Sequence, residues 1–183
     1  MKQIFEVIIF GRAGQGAKTF AQMVAEGALL EGKEIQAFPE FGAERRGAPV
    51  RSFLRISDIR IRTHEPIVNP DVVIVLDDRL FFSIPGLGNY NCSYIINSNK
   101  SKEFFEKKIK TKNPIYLVDA NRIITQENID SPNVVLIGTL ISLFDVVDYE
   151  SIEKAISLEL KKKGKINLIE SNLKCLRRGN HYF

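Results

Sequence analysis

Apolar strand-like runs alternating with helical patterns predict an α/β fold. The expected architecture is a single three-layer domain over residues 1–183, with a mixed, mostly parallel sheet and a helical C-terminal third. Three observations carry this. The N-terminal run leads through a glycine-rich turn into a helical pattern. Further short apolar runs recur with helical or irregular segments between them. From Val134 onward the strand signal stops and three helical patterns follow one another.

Gln3–Phe10 contains Ile4, Phe5, Val7, Ile8, Ile9 and Phe10, a nearly continuous apolar strand of the kind buried on both faces. A helix is expected from Gly16, with Phe20, Met23, Val24, Ala28 and Leu29 at three- and four-residue steps and Gly32 closing it. Glu34–Phe38 reads as the second strand. Val50–Ile56 reads as the third, and Ser57-Asp58 predicts a hairpin back into Ile59–Thr63. Pro66 and Pro70 punctuate the next connection. Val72–Asp77, Ser93–Asn97 and Ile115–Asp119 repeat the strand signal, with a lysine-rich helix over Lys102–Lys110 between the last two. Val134–Val147 predicts a buried helix. Glu150–Lys163 predicts an amphipathic one, with Ile152, Ala155, Ile156, Leu158 and Leu160 on its inner side, Asp148 capping its start and Gly164 its end. Ile166–Leu176 predicts a last helix, stopped by Gly179.

Composition narrows the function classes. The chain has 183 residues, enough to bury a substantial core, and its 44% hydrophobic and 26% charged content is that of a folded soluble protein. The net charge of +4 comes largely from lysines at 100–112 and 161–165, which read as wet helix faces. No basic stripe with interleaved aromatics is present, so nucleic-acid binding is not expected. The longest apolar run, Val134–Phe144, falls short of the ~20 residues of a membrane span. Met1–Glu6 enters the strand pattern without a secretory leader, and Cys92 and Cys175 suit a reducing compartment, so a cytoplasmic protein is expected. Two cysteines cannot supply the four thiolates of an iron–sulfur cluster. With His64 and His181 as the only imidazoles, no metal site is expected in this chain.

Two loops carry the functional signal. Gly11-Arg12-Ala13-Gly14-Gln15-Gly16 follows the first strand and opens the first helix. Its G-x-x-G-x-G order differs from the dinucleotide fingerprint G-x-G-x-x-G, yet it too sets backbone N–H groups at a helix N-terminus, where an anion is favoured. Arg12 and Lys18 add positive charge. The plainer reading is a tight turn that lets helix and strand pack closely. The second loop, Phe41-Gly42-Ala43-Glu44-Arg45-Arg46-Gly47-Ala48-Pro49, presents three charges between two glycines, and both loops are expected at the ends of neighbouring strands. Arginine forks suit phosphate or carboxylate, whereas an ion pair among Glu44, Arg45 and Arg46 would be a surface feature of little energetic weight. Asp77-Asp78 at a strand end reads as a cap for the following turn rather than as metal ligands. No Ser/His/Asp or Cys/His nucleophile can be assembled.

Together the first loop, the segment Gln36–Val50, Pro66-Ile67-Val68-Asn69-Pro70-Asp71-Val72-Val73-Ile74, and Pro132-Asn133 followed by Gly138 resemble the gamma subunit of pyruvate:ferredoxin (2-oxoacid:acceptor) oxidoreductases. The resemblance covers nearly the whole chain. Its Glu44–Pro49 form is similar to the pyruvate and branched 2-oxoacid branches rather than to the 2-oxoglutarate and indolepyruvate ones. Ala13 stands where the family usually has glycine, and Val134–Gly138 departs from the usual run there.

What the resemblance implies is a non-catalytic gamma subunit of a multi-subunit enzyme that oxidises a 2-oxoacid, pyruvate above all, with coenzyme A to acyl-CoA and CO2, reversibly, reducing ferredoxin or flavodoxin. Thiamine diphosphate, magnesium and iron–sulfur clusters would then sit on alpha, beta and ferredoxin-like delta type chains, and the isolated gamma chain would be inactive. The implied role here is coenzyme A handling and active-site closure. The candidate contacts to coenzyme A or to the thiamine-bearing partner are Gly11, Arg12, Gly14, Gln15, Gly16, Glu44, Arg45, Arg46 and Gly47. A stand-alone nucleotide-binding α/β protein, or the same subunit in a branched-chain 2-ketoisovalerate oxidoreductase, is the alternative.

Overall fold

The apolar run at the start of the chain forms β1 (Ile4–Arg12), which lies inside the sheet. Val7, Ile8, Ile9 and Phe10 are all buried because both faces of the strand are covered, so the run does not alternate. The computed structural model describes residues 4–41 and 48–183. The other strands are β2 (Glu34–Phe41), β3 (Pro49–Ser57), β4 (Val72–Val75), β5 (Ser93–Asn97) and β6 (Ile115–Val118), in the spatial order β2-β3-β1-β4-β5-β6. β1, β4, β5 and β6 run parallel, while β3 is antiparallel to both β1 and β2. The expected mixed, mostly parallel sheet is present.

Successive residues of each strand feed opposite layers. Val7, Ile9, Leu54, Ile56, Val72 and Ile74 pack under α1 (Ala17–Leu30), α3 (Ala120–Gln126), α4 (Asn133–Phe144), α5 (Tyr149–Lys162) and α6 (Ile169–Asn180). Ile8, Phe10, Phe53, Val73, Val75, Tyr94 and Ile96 pack against Leu80, Leu87, Phe105 and Ile109, which belong to two 3-10 turns and the region of α2 (Lys102–Glu106). This is the three-layer α/β arrangement. α1 closes as expected, with Gly32 at φ 76, and Gly164 takes φ 68 just beyond α5.

Five details differ from the sequence reading. No hairpin forms at Ser57-Asp58. Both edges of β3 are already taken, by β1 and β2, so Ile59–Thr63 has no ladder to join. Side chains tether the segment instead: Gln36 Nε2 donates to Thr63 O at 2.6 Å and the buried Arg55 donates to Glu65 O at 2.7 Å. The lysine-rich helix is cut to Lys102–Glu106, because the chain then turns so that Lys110 N can donate to Gly88 O at 2.7 Å. Asp148 stands at the N-terminal boundary of α5 without a side-chain cap. Leu158 is 40% exposed rather than inward, in an apolar groove with Leu30 and Leu173. The last helix runs through Gly179 instead of stopping there. A Cβ at Gly179 would collide with Val135 O, and one at Gly138 with Leu176 O, so paired glycines bring α6 and α4 into backbone contact.

Candidate functional site

β1 hands over to α1 through residues 13–16, where two glycines are required by conformation. Gly14 has φ 94 and Gly16 φ 83, both in the left-handed region. Gly16 is also sterically confined: a Cβ there would lie 2.7 Å from Asn133 Nδ2 and 2.9 Å from Ser131 Oγ. At Gly11 the demand is for close approach, since a Cβ would meet Leu76 Cδ1 at 3.0 Å. Having no side chain, Gly16 cannot cap α1, whose first turn carries no acid. Its orphan N–H groups and dipole therefore end next to the exposed Lys18 rather than a carboxylate.

On the other side of the turn stands Asp77, which follows β4. Its side chain is 5% exposed. Asp77 Oδ2 accepts from Arg12 Nε at 3.1 Å and Gln15 Nε2 at 3.0 Å. The backbone N of Arg79 donates to Oδ1 at 3.0 Å, and the Arg79 guanidinium donates to both oxygens at 2.8 and 2.7 Å. Burial alone would raise the Asp77 pKa. The hydrogen bonds from Arg79 and Gln15 and the Arg79 charge outweigh it and hold the carboxyl well below the usual aspartate range. Gln15 Oε1 accepts from Arg12 N at 2.7 Å, and Ser131 Oγ donates to Gln15 O at 2.8 Å, which fixes the turn from a second side.

The location is the one where open α/β sheets hold ligands. The chain leaves β1 toward β2 on one side and leaves β4 toward β5 on the other, so the loops after β1 and β4 diverge at the carboxyl ends of adjacent parallel strands. Asp77 was expected to cap the following turn, and it does so through Arg79 N. Its larger part, anchoring Arg12 and Gln15, was not anticipated. The available signal was a polar residue directly after each apolar strand run. The same signal marks Asn97, whose Nδ2 donates to Leu76 O at 2.9 Å and whose Oδ1 accepts from Ala120 N at 3.1 Å, joining the ends of β4, β5 and α3.

Of the sequence-derived candidates, Gly11, Arg12, Gly14, Gln15 and Gly16 come together here. Arg12 and Gln15 direct polar atoms to Asp77. Glu44, Arg45, Arg46 and Gly47 lie outside the described residues. The two loops lie at the ends of neighbouring strands as expected, the first after β1 and the second before β3, whose Pro49 pairs with Arg12. Their flanks touch just beyond that pair, with Ala13 N donating to Ala48 O at 3.1 Å. Beside the turn, a groove of about 230 Å³ runs between Gly14, Gly16 and Thr19 on one side and Lys163, Lys165 and Asn172 on the other, with Asn133 and Ser131 also lining it.

The donor set does not fit an iron–sulfur cluster. Cys92 and Cys175 are both buried and belong to the cores on opposite faces of the sheet. Burial pushes the Cys175 thiol up to about 11, away from thiolate character. Among the described residues no group of three His, Cys, Asp or Glu could hold a metal ion. No helix among them is long and apolar enough to cross a membrane.

Residues 6–182 match the family model described as pyruvate ferredoxin/flavodoxin oxidoreductase. The chain is 44% identical to the pyruvate synthase subunit PorC of Thermotoga maritima over 97% of its own length and 94% of that protein's. It is 43% identical to the pyruvate/ketoisovalerate oxidoreductases common subunit gamma of Thermococcus litoralis, covering 87% of this chain and 91% of that one. The crystal structure of the Thermotoga maritima pyruvate oxidoreductase subunit superimposes with a TM-score of 0.83 at 40% identity, over 98% of this chain and 96% of that one.

Proposed function

Because the chain belongs to the pyruvate ferredoxin/flavodoxin oxidoreductase family, we propose that it is the gamma subunit of a multi-subunit, pyruvate-type 2-oxoacid:ferredoxin oxidoreductase. The observation that carries this is kinship along residues 6–182, rather than over a glycine turn that unrelated nucleotide-binding proteins could share. The complex would join a 2-oxoacid and coenzyme A to give acyl-CoA and CO2, pass the electrons to ferredoxin or flavodoxin, and act in the cytoplasm. Thiamine diphosphate, magnesium and iron–sulfur clusters would be held by alpha, beta and delta type chains. The cysteines of this chain, in separate cores, support that division.

Within the complex we assign this chain to coenzyme A handling and closure of the active site. The turn at Gly11–Gly16 and the loop bearing Glu44, Arg45, Arg46 and Gly47 would face coenzyme A or the thiamine-bearing chain. Support comes from the switch-point position of the turn and from the contact between the two loop flanks. A specificity that includes 2-ketoisovalerate is the second reading, favoured by the shared pyruvate/ketoisovalerate subunit among the relatives.

The test is purification of the tagged chain from its native host, followed by assay of a panel of 2-oxoacids with coenzyme A and ferredoxin. Co-purifying chains, a brown colour and pyruvate-dependent reduction of ferredoxin are expected. The chain produced alone should be colourless and inactive. A colourless monomer from the native host, or 2-oxoacid oxidation by the chain alone, would overturn the proposal.

A further inference from the structure

We propose that an aromatic and lysine patch beyond the carboxyl ends of β4 and β5 is a docking surface for an acidic face of a partner chain in the oxidoreductase complex, which rests on the subunit reading above. Phe82 ends the 3-10 turn Asp78–Phe82 and is 65% exposed. Its ring lies 6.2 Å from that of Phe104 on α2, and Phe104 is set edge-on against the buried Phe105 at 5.0 Å. The core thus fixes one ring of the pair while the other faces water. A single exposed ring is ordinary. Two ammonium groups converging on it are not.

Lys108 Nζ lies 4.4 Å from the Phe82 centroid and 5.2 Å from that of Phe104. Lys100 Nζ lies 4.7 Å from Phe104 and 5.6 Å from Phe82. The ring faces attract both cations, which share the same two rings although like charges repel. Lys100 is balanced by Asp78 Oδ2 at 3.0 Å, the oxygen that also accepts from the buried Ser98 Oγ at 2.6 Å. Lys108 Nζ meets no carboxylate among the described residues, so ring faces alone balance its charge there. A carboxylate brought by another chain pairs with Lys108 and relieves the repulsion between the two ammonium groups. The apolar atoms beside that carboxylate cover Phe82.

Charge makes the occupant acidic. Residues 100–112 carry six lysines against two glutamates, and one of these, Glu106, already faces Lys102 at 3.8 Å. The neighbouring acids are spent as well, Asp77 on Arg12, Gln15 and Arg79, and Asp78 on Lys100 and Ser98. The same Asp77-Asp78 pair makes the patch continuous with the turn at Gly11–Gly16, so one chain that reaches the turn also covers the patch. A pair of cations around one ring suits carboxylates beside an apolar contact, whereas nucleic acid needs a basic track along its backbone. Asp78 and the rings hold the ammonium groups in place before docking, so little side-chain freedom is lost on binding.

The test uses the tagged full chain purified from its native host with its partner chains. A water-soluble carbodiimide joins an amine only to a carboxylate in contact with it. It should link Lys108 to an Asp or Glu of a co-purifying chain, read by peptide mass spectrometry. Lys108→Glu and Phe82→Ala should each lower the partner chains recovered per tagged chain at least about tenfold. Lys112→Glu, the same charge change at an exposed position before the amino end of β6, should not. Thermal unfolding of the free variants should match wild type, and if Phe82→Ala fails to fold, Lys108→Glu decides. Lys108 as open to acetylation in the complex as in the free chain, full assembly of both variants, or an equal loss with Lys112→Glu would each overturn the docking surface. So would saturable binding of single-stranded DNA that Lys108→Glu abolishes, which would assign the patch to nucleic acid. If wild type and variants recover the partners equally, the patch alone falls. A wild-type chain that recovers none refutes the subunit reading and the patch with it.

Discussion

Replacing Gly16 by alanine introduces two costs that the structure separates. The first is conformational. At φ 83 a side chain is disfavoured by about 1–2 kcal/mol. The second is steric, because the new Cβ falls 2.7 Å from Asn133 Nδ2 and 2.9 Å from Ser131 Oγ. Asn133 is buried and Ser131 is committed to Gln15 O, so neither yields freely, and overpacking of this kind costs about 1–3 kcal/mol more. Gly86 is a matched control. It has φ 79, but a Cβ there meets only Asn89 Nδ2, at 3.3 Å. Gly86→Ala should therefore carry the backbone cost alone. At about 2–4 °C per kcal/mol for a chain of this size, Gly86→Ala should lower Tm by roughly 2–8 °C and Gly16→Ala by roughly 4–20 °C. Paired thermal and urea unfolding of the full chain reads the difference. Equal losses would mean that the crowding under Gly16 carries no energy and that the turn is only a flexible connector.

The remaining predictions concern three other places. Gly179→Ala should lower Tm by about 6–12 °C, corresponding to about 3 kcal/mol, since the collision is with backbone of α4 and no side chain can swing aside; an unchanged melting curve would show that the two helices separate at no cost. The depressed folded-state pKa of Asp77 makes its contribution complete above the ordinary aspartate value of about 3.9 and lost as pH falls below it. Asp77→Asn should cost about 1.5–3 kcal/mol at neutral pH, and its stability should converge with wild type on acidification; parallel curves down to low pH would refute the assignment. Arg45→Ala and Arg46→Ala should leave the free chain folded but raise the apparent KM for coenzyme A, or weaken assembly, by about tenfold to a hundredfold, with lysine restoring only part. Normal turnover in both variants would reduce these arginines to a surface ion-pair cluster, and unfolding of the free chain would give them a structural role.

Much of this chain was legible from local pattern. The continuous apolar run of β1, the three- and four-residue steps of α1, Gly32 behind it and the turn at Gly14 and Gly16 are all read from neighbours within a few residues. The physics involved, burial on a strand face or a left-handed backbone, is equally local. Tertiary structure decided the rest. Whether Ile59–Thr63 could pair depended on β3 having both edges filled, one of them by a strand from the start of the chain. Gly179 has the sequence appearance of a helix stop, yet it is the point where α6 meets Val135 of α4. Arg12 looked like a ligand contact and is bonded to Asp77, 65 positions away, while Gln15 is held by Ser131, 116 positions away. Sequence alone thus determined which segments become strands, helices and tight turns, because those choices are made over a few bonds. The polar partners at the site were chosen by sheet order and helix packing, which bring together groups that share no local pattern.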